Sequence, residues 1–402
     1  MLKSVKLWPR TLVAASITAA VGCSIYDSSL LLGGVDGGSP RDAGRDARVD
    51  ATRPKDATPR DVASKDAPAR DAGAEAATPL CLEAGCARPA TSCIDGGAGA
   101  GPSCVPGKSV NCCASSPVPG GAFLRQNEDG GQATIDSFTL DRFEVTVGRF
   151  RRFVNLGLGT QLSPPKAGAG ASPHVPGSGW NPAWNSQLPP ATTDLAFQLT
   201  CEGDQNSNPT WTDTVINNET LPINCVTWYV AFAFCAWDGG RLPTNAEWNY
   251  AAAGGDQQRL YPWSVPPTSQ TISPEYAVYQ CTGHGGSPTY NDAGDILCDL
   301  SDILPVGSKS PKGDGRWGHS DLAGSMYEWV LDWYTPTNPR PCADCAVVDG
   351  GPADAGPDAA VGRLQRSGGY YDPPTYLFTI DEYYFDPGGL LDNDGIRCAR
   401  DP

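Results

Sequence analysis

Fifteen cysteines constrain this chain more than any other feature. Disulfides persist in oxidising compartments and are rare where the cell keeps thiols reduced, so this count predicts an exported protein. The cysteines sit among 47 Gly and 37 Pro, with only 18% charged residues. Such a composition favours irregular loops held by covalent staples over a helical bundle. Eleven Trp supply aromatic ribs for one large core. An odd number of cysteines leaves one with a different fate.

The N-terminal residues suggest that fate. Lys3, Lys6 and Arg10 form a basic start, and residues 11–21 form an apolar run too short to span a bilayer. Ala20-Val21-Gly22-Cys23 follows and is similar to a bacterial lipobox, with Ala20 in the place of the usual Leu. Residues 1–22 are therefore expected to be a lipoprotein-type signal peptide, with Cys23 lipidated and fourteen cysteines left to pair. Residues 23–80 repeat a basic-Asp-Ala/Val triplet, as in Arg41-Asp42-Ala43 and Lys65-Asp66-Ala67. They carry too little apolar surface to offset the entropy of ordering and read as a disordered tether. Each basic residue in it is neutralised by its neighbour. With a formal charge of −16 for the whole chain, nucleic acid is excluded as a partner, since phosphate binding needs clustered Lys and Arg.

Residues 81–116 hold six cysteines: Cys81, Cys86, Cys93, Cys104, Cys112 and Cys113. Zinc would want paired cysteines at short matched spacings. The irregular spacings and the lack of a nearby His favour disulfides, whose connectivity the sequence leaves open. The main domain is expected over 117–402. Residues 137–145 alternate apolar and polar side chains as a strand does. Thr146 is placed to cap a helix through Val147, Phe150, Phe153 and Val154. Residues 228–237 are apolar at nearly every position and predict a buried helix. The following hundred residues and more are rich in Gly, Pro, Asn and Asp and read as irregular. Residues 347–362 look like a solvated insertion.

Three segments carry a resemblance. Residues 221–255 are dense in Trp, place Arg241-Leu242-Pro243-Thr244 ahead of Glu247-Trp248, and close on Gly254-Gly255. Residues 321–329 read DLAGSMYEW, and residues 395–400 read GIRCAR. Together they resemble the sulfatase-modifying-factor family of formylglycine-generating enzymes. The resemblance implies an α+β, C-type-lectin-like fold with little regular secondary structure, stabilised by calcium and disulfides. It implies one structural calcium on the side chain of Asp321, the carbonyls of Gly324 and Met326, and Glu328, a set of the hard oxygen donors calcium prefers. A second family calcium site is not expected, because Ala277-Val278 stands where an Asn-led pair belongs. The family's disulfide between its second helix and its terminal motif corresponds to Cys235 and Cys398. Cys201 with Cys225 is a plausible pair flanking a short excursion, and Cys281 with Cys298 and Cys342 with Cys345 are further candidates.

The same resemblance exposes a gap. The family's oxidases hold copper on two cysteines, five residues apart, after a segment matching residues 366–371; soft thiolates suit Cu(I). The two positions fall at about Pro373 and Phe378, and there is no Cys between Cys345 and Cys398. Copper is therefore not expected. A usually arginine-rich stretch reads DEYYFD over 381–386. Tyr370, Tyr371, Tyr376, Tyr383 and Tyr384 crowd this region, as a contact surface or as core. His174, His284 and His319 are scattered among loops and read as isolated. The expected function is a non-catalytic binding or structural module at a bacterial cell envelope, anchored to the membrane by lipid, with an envelope protein or glycan as partner. The alternative is a metal-dependent oxidase acting on exported proteins, with only Asp372, Asp381, Glu382 and His319 available to it.

Overall fold

Alternation over 138–141 makes β4 (Phe138–Asp141) the middle strand of a sheet. It pairs antiparallel with β1 (Ser115–Val118) on one side and with β12 (Ala399–Arg400), from the far end of the chain, on the other. The computed structural model describes residues 90–94, 96–105, 109–204, 207–291, 296–349 and 362–402. The signal peptide with Cys23, the tether, Cys81, Cys86 and most of the 347–362 insertion lie outside them. A second sheet pairs β2 (Gly121–Leu124) with β3 (Gln132–Ile135), and β3 with β8 (Cys342–Ala343). A short hairpin pairs β5 (Thr289–Tyr290) with β6 (Ile296–Leu297).

The largest sheet centres on β7 (Tyr327–Trp333), in which every residue is buried. β7 lies between β9 (Arg363–Arg366), antiparallel, and β11 (Asp394–Gly395), parallel; β10 (Tyr383–Phe385) extends the β9 edge. Burial on both faces explains why β7 shows no alternation in the sequence.

Among the described residues, four α-helices pack around these sheets. Thr146 caps α1 (Val147–Asn155) by accepting from the Arg149 N–H, and Phe150, Phe153 and Val154 turn inward. α2 (Thr192–Gln198) is short. α3 (Trp228–Trp237) is apolar all round and buried along nearly its whole length, as a helix without a polar face must be. Phe234 stacks on Phe150 at 5.2 Å, and Trp237 meets Phe153 at 5.4 Å. The Arg363 guanidinium lies between the Trp228 and Trp333 rings, 3.9 Å from each centroid. α4 (Asn245–Ala252) begins with a capping box in which Thr244 and Glu247 satisfy each other's N–H. It interrupts the stretch expected to be irregular.

Two arginines and two aspartates tie the helices to the first sheet. Arg149 reaches Asp141 at 2.9 Å and Asp238 at 2.6 Å; Arg400 pairs with Asp141 and reaches Asp238 at 2.7 Å. All four side chains are buried. The regular strand stops at Asp141, whose side chain enters this network, although the Val145 N–H still donates to the Ile396 carbonyl at 2.7 Å.

All twelve cysteines among the described residues are in disulfides: 93–113, 104–112, 201–225, 235–398, 281–298 and 342–345. Cys104, Val105 and Cys112 pack with Phe143 and Val306 of the main domain. The Ser92 N–H also donates to Asp238. The described part of the cysteine-rich segment therefore lies against the domain.

Candidate functional site

The loop that enters β7 turns through three residues with positive φ: Asp321 (60°), Gly324 (81°) and Ser325 (67°). Gly324 is required there, since a Cβ would lie 2.2 Å from the Val278 carbonyl oxygen. The loop is fixed from outside. Glu144 accepts from the Met326 N–H at 2.9 Å and bonds the Ser325 hydroxyl at 3.0 Å. The Ser367 hydroxyl donates to the Gly324 carbonyl at 3.1 Å. Asp321 accepts from the Gly307 N–H at 2.6 Å.

Glu328, on β7, is wholly buried. Trp248 of α4 donates its indole N–H to one oxygen at 2.7 Å, and Arg397 forms a bidentate pair at 2.7 and 2.9 Å. Arg397 also donates to the Asp141 and Ser320 carbonyls. The four expected calcium donors thus share one loop and strand, but the carboxylate of Glu328 is engaged by Arg397 and Trp248. Among the described residues, Asp321, Glu328 and Glu144 do not form a group with all donor atoms within 4.8 Å of one another.

Sequence reasoning gave Glu144 and Arg397 no role, although both stand inside quoted motifs. Two buried carboxylates, Glu144 and Glu328, and the half-buried Asp321 surround the Arg397 guanidinium, with Lys309 the other cation acting on Asp321. Burial raises Glu144 well above its ordinary range, with Asp321 and Glu328 adding to it. Burial also lifts Asp321 to about 6. The oxygen donors of Asp321, Glu144 and the loop carbonyls are of the hard type calcium takes, while Glu328 is already neutralised by Arg397.

The second region is the turn after β9. Arg366 is buried and binds Glu382 at 2.8 Å and the Asn245 side-chain oxygen at 2.6 Å. Asp372 accepts from the Gly369 N–H at 2.7 Å. Pro373 is exposed, and Phe378 is half-buried with its ring 5.0 Å from that of Tyr261. The five tyrosines divide between the two readings. Tyr370 is core, with its hydroxyl on Asp392 at 2.8 Å. Tyr371 and Tyr383 are half-buried. Tyr376 and Tyr384 are exposed, stacked on Tyr383 and Tyr334 respectively.

A cavity of about 590 Å³ opens beside them, lined in part by Glu128, Tyr334, Asn338, Arg340, Asp381 and Glu382. Burial pushes Asp381 up to about 6. Of the histidines, His319 is wholly buried and held down to about 3 by burial and Arg397. His284 lies against Asp302 at 2.5 Å.

Residues 104–402 match the family model of the sulfatase-modifying factor enzyme 1-like domain. The chain belongs to that family. This sulfatase-modifying-factor domain is 28% identical to the formylglycine-generating enzyme of Bos taurus over 306 residues, covering 71% of this chain and 74% of that protein. It is 33% identical to the Streptomyces coelicolor formylglycine-generating enzyme over 184 residues, 45% of this chain and 52% of that one. An inactive Cα-formylglycine-generating enzyme 2 of Mus musculus is 36% identical over 118 residues, 29% of this chain and 33% of that protein. Among solved structures, PvdO from Pseudomonas aeruginosa aligns over 72% of this chain and 94% of its own, with a TM-score of 0.45 and 18% identity. The mixed α+β architecture, sparse regular structure and many disulfides agree with the fold class expected from the sequence.

Proposed function

We propose that this sulfatase-modifying-factor domain is a non-catalytic binding module, exported and held at a cell envelope through a lipid on Cys23. One observation carries the reading. No Cys stands between Cys345 and Cys398, where the family resemblance puts the oxidases' copper cysteines at about Pro373 and Phe378, and every described cysteine is committed to a disulfide. Neither Pro nor Phe offers a soft ligand for Cu(I). The exposed rings of Tyr376 and Tyr384, with Tyr334 and the Asp381 carboxylate lining the cavity, suit an envelope glycan or a basic peptide segment, aromatic planes supplying contact area at low entropic cost. Calcium is the structural cation of the Asp321 loop in this reading, held by Asp321, Gly324, Met326 and Glu328 with Glu144 adding charge.

The deciding experiment is an aldehyde assay on the oxidised protein with copper, oxygen and a Cys-x-Pro-x-Arg peptide, read by mass spectrometry beside an active relative. No conversion supports the binding module. Conversion to formylglycine overturns it and makes the chain an oxidase with a different metal site. Calcium is tested separately: the thermal midpoint rises with calcium and falls with chelator, and identical unfolding in both removes calcium from the proposal.

A further inference from the structure

His174 is not isolated. It lies in the long loop between α1 and α2, yet its donor nitrogen comes within 4.8 Å of carboxylate oxygens on both Asp136 and Asp344. The three residues come from separate parts of the chain. Asp136 follows β3, and Asp344 sits inside the four-residue loop closed by Cys342–Cys345. Two of the three are set by backbone rather than by free side chains. β8 pairs parallel with β3, with Thr134 opposite Ala343. The Asp344 N–H donates to the Thr134 carbonyl at 3.0 Å, and the Asp136 N–H donates to Oδ1 of Asp344 at 2.7 Å.

The separations suit a shared cation. Nδ1 of His174 lies 3.6 Å from Oδ2 of Asp136, too far for a hydrogen bond. Ligands bound at about 2.1 Å around a tetrahedral ion are about 3.4 Å apart. Without a cation, two carboxylates of like charge share this spot. The histidine and Asp136 side chains are 37% and 69% exposed, so an ion has a path in and one side stays open to water.

We propose that Asp136, His174 and Asp344 bind one divalent transition-metal ion, zinc by preference, with water completing the coordination. One imidazole and two carboxylates match zinc's mixed nitrogen and oxygen donors. Calcium is the wrong ion, since it takes six to eight oxygens. The bound ion would clip the α1–α2 loop to the disulfide loop and the β3–β4 turn, and its open position is available to a ligand.

The test uses the full oxidised chain, stripped of metal and titrated with zinc chloride by calorimetry. One equivalent is expected with a dissociation constant on the order of micromolar or tighter. His174→Ala and Asp344→Asn should each weaken it by about tenfold or more, while His284→Ala leaves it unchanged. Both substituted groups reach solvent, and near-UV circular dichroism of the variants checks that they fold as the parent does. Cobalt substitution should give visible bands of a four-coordinate site that His174→Ala abolishes. Absence of zinc binding below about 1 mM, or one-equivalent binding that survives His174→Ala, overturns the site. Loss of binding in His284→Ala also overturns it, by moving the ion to the His284–Asp302 pair.

Discussion

Replacing Asp141 by asparagine should change both how stable the domain is and how it responds to acid. Asp141 bridges Arg149 and Arg400, and its side chain is fully buried. Burial alone would raise its pKa; the charges and hydrogen bonds of Arg149 and Arg400 overcome that and bring it from 3.8 to about 2. A carboxylate depressed in the fold contributes stability that is complete above its unfolded pKa and is lost as pH falls through its folded pKa. The window here runs from about pH 4 down to about pH 2. At about 1.4 kcal/mol for each tenfold change in proton affinity, the contribution is about 2–3 kcal/mol. The amide in the Asp141→Asn variant does not titrate, so the difference in unfolding free energy between parent and variant should shrink by that amount across the window. Near neutral pH the variant should be about 3–5 kcal/mol less stable, because two buried guanidiniums lose a shared counter-charge. Urea unfolding of the oxidised protein from pH 7 to pH 2 measures both. If the two pH profiles run parallel within about 0.5 kcal/mol, the buried network does not set the acid limb and the reasoning is wrong.

Three further outcomes follow from the same packing. Cys235→Ser should cost about 5 kcal/mol by the chain-entropy model for a closed loop of 163 residues. The nested 281–298 and 342–345 bridges shorten that loop only slightly on a logarithmic scale, and denaturant unfolding without reductant reads the loss. Arg363→Lys should lose about 2 kcal/mol or more and shift tryptophan fluorescence, because an ammonium cannot lie flat between Trp228 and Trp333; a change under about 0.5 kcal/mol refutes the sandwich as a stabilising contact. Glu328→Gln should cost about 3–5 kcal/mol by leaving Arg397 buried and unpaired. That loss should persist in chelator, whereas a loss seen only with calcium present would make the ion, not Arg397, the main partner.

The motifs made the fold legible because they are packing units. The Thr146 cap, the all-apolar run of α3 and the half-cystines at 235 and 398 each impose one local geometry. α4 was missed although Thr244-Asn245-Ala246-Glu247 spells a capping box, because surrounding Gly and Pro outweighed a helix of only eight residues. The partners of Glu328 were out of reach for a different reason. Arg397 is 69 residues away in sequence, and no local pattern says that two motifs will meet face to face. His174 is the same case: nothing near it in sequence is acidic, and its neighbours arrive through the β3–β8 pairing.

The placement of residues 394–400 has a consequence for how the protein is made. Synthesis proceeds from the N-terminus, so β4 waits for a partner that emerges 261 residues later, as the Thr139–Arg400 contact shows. Until then one edge of β4 is bare, Glu328 has no Arg397, and the Cys235 thiol has no Cys398 to pair with. Non-local closure of this kind folds slowly. Residues 394–400 act as a latch: they supply β11, the Cys398 half of the 235–398 bridge and β12 together.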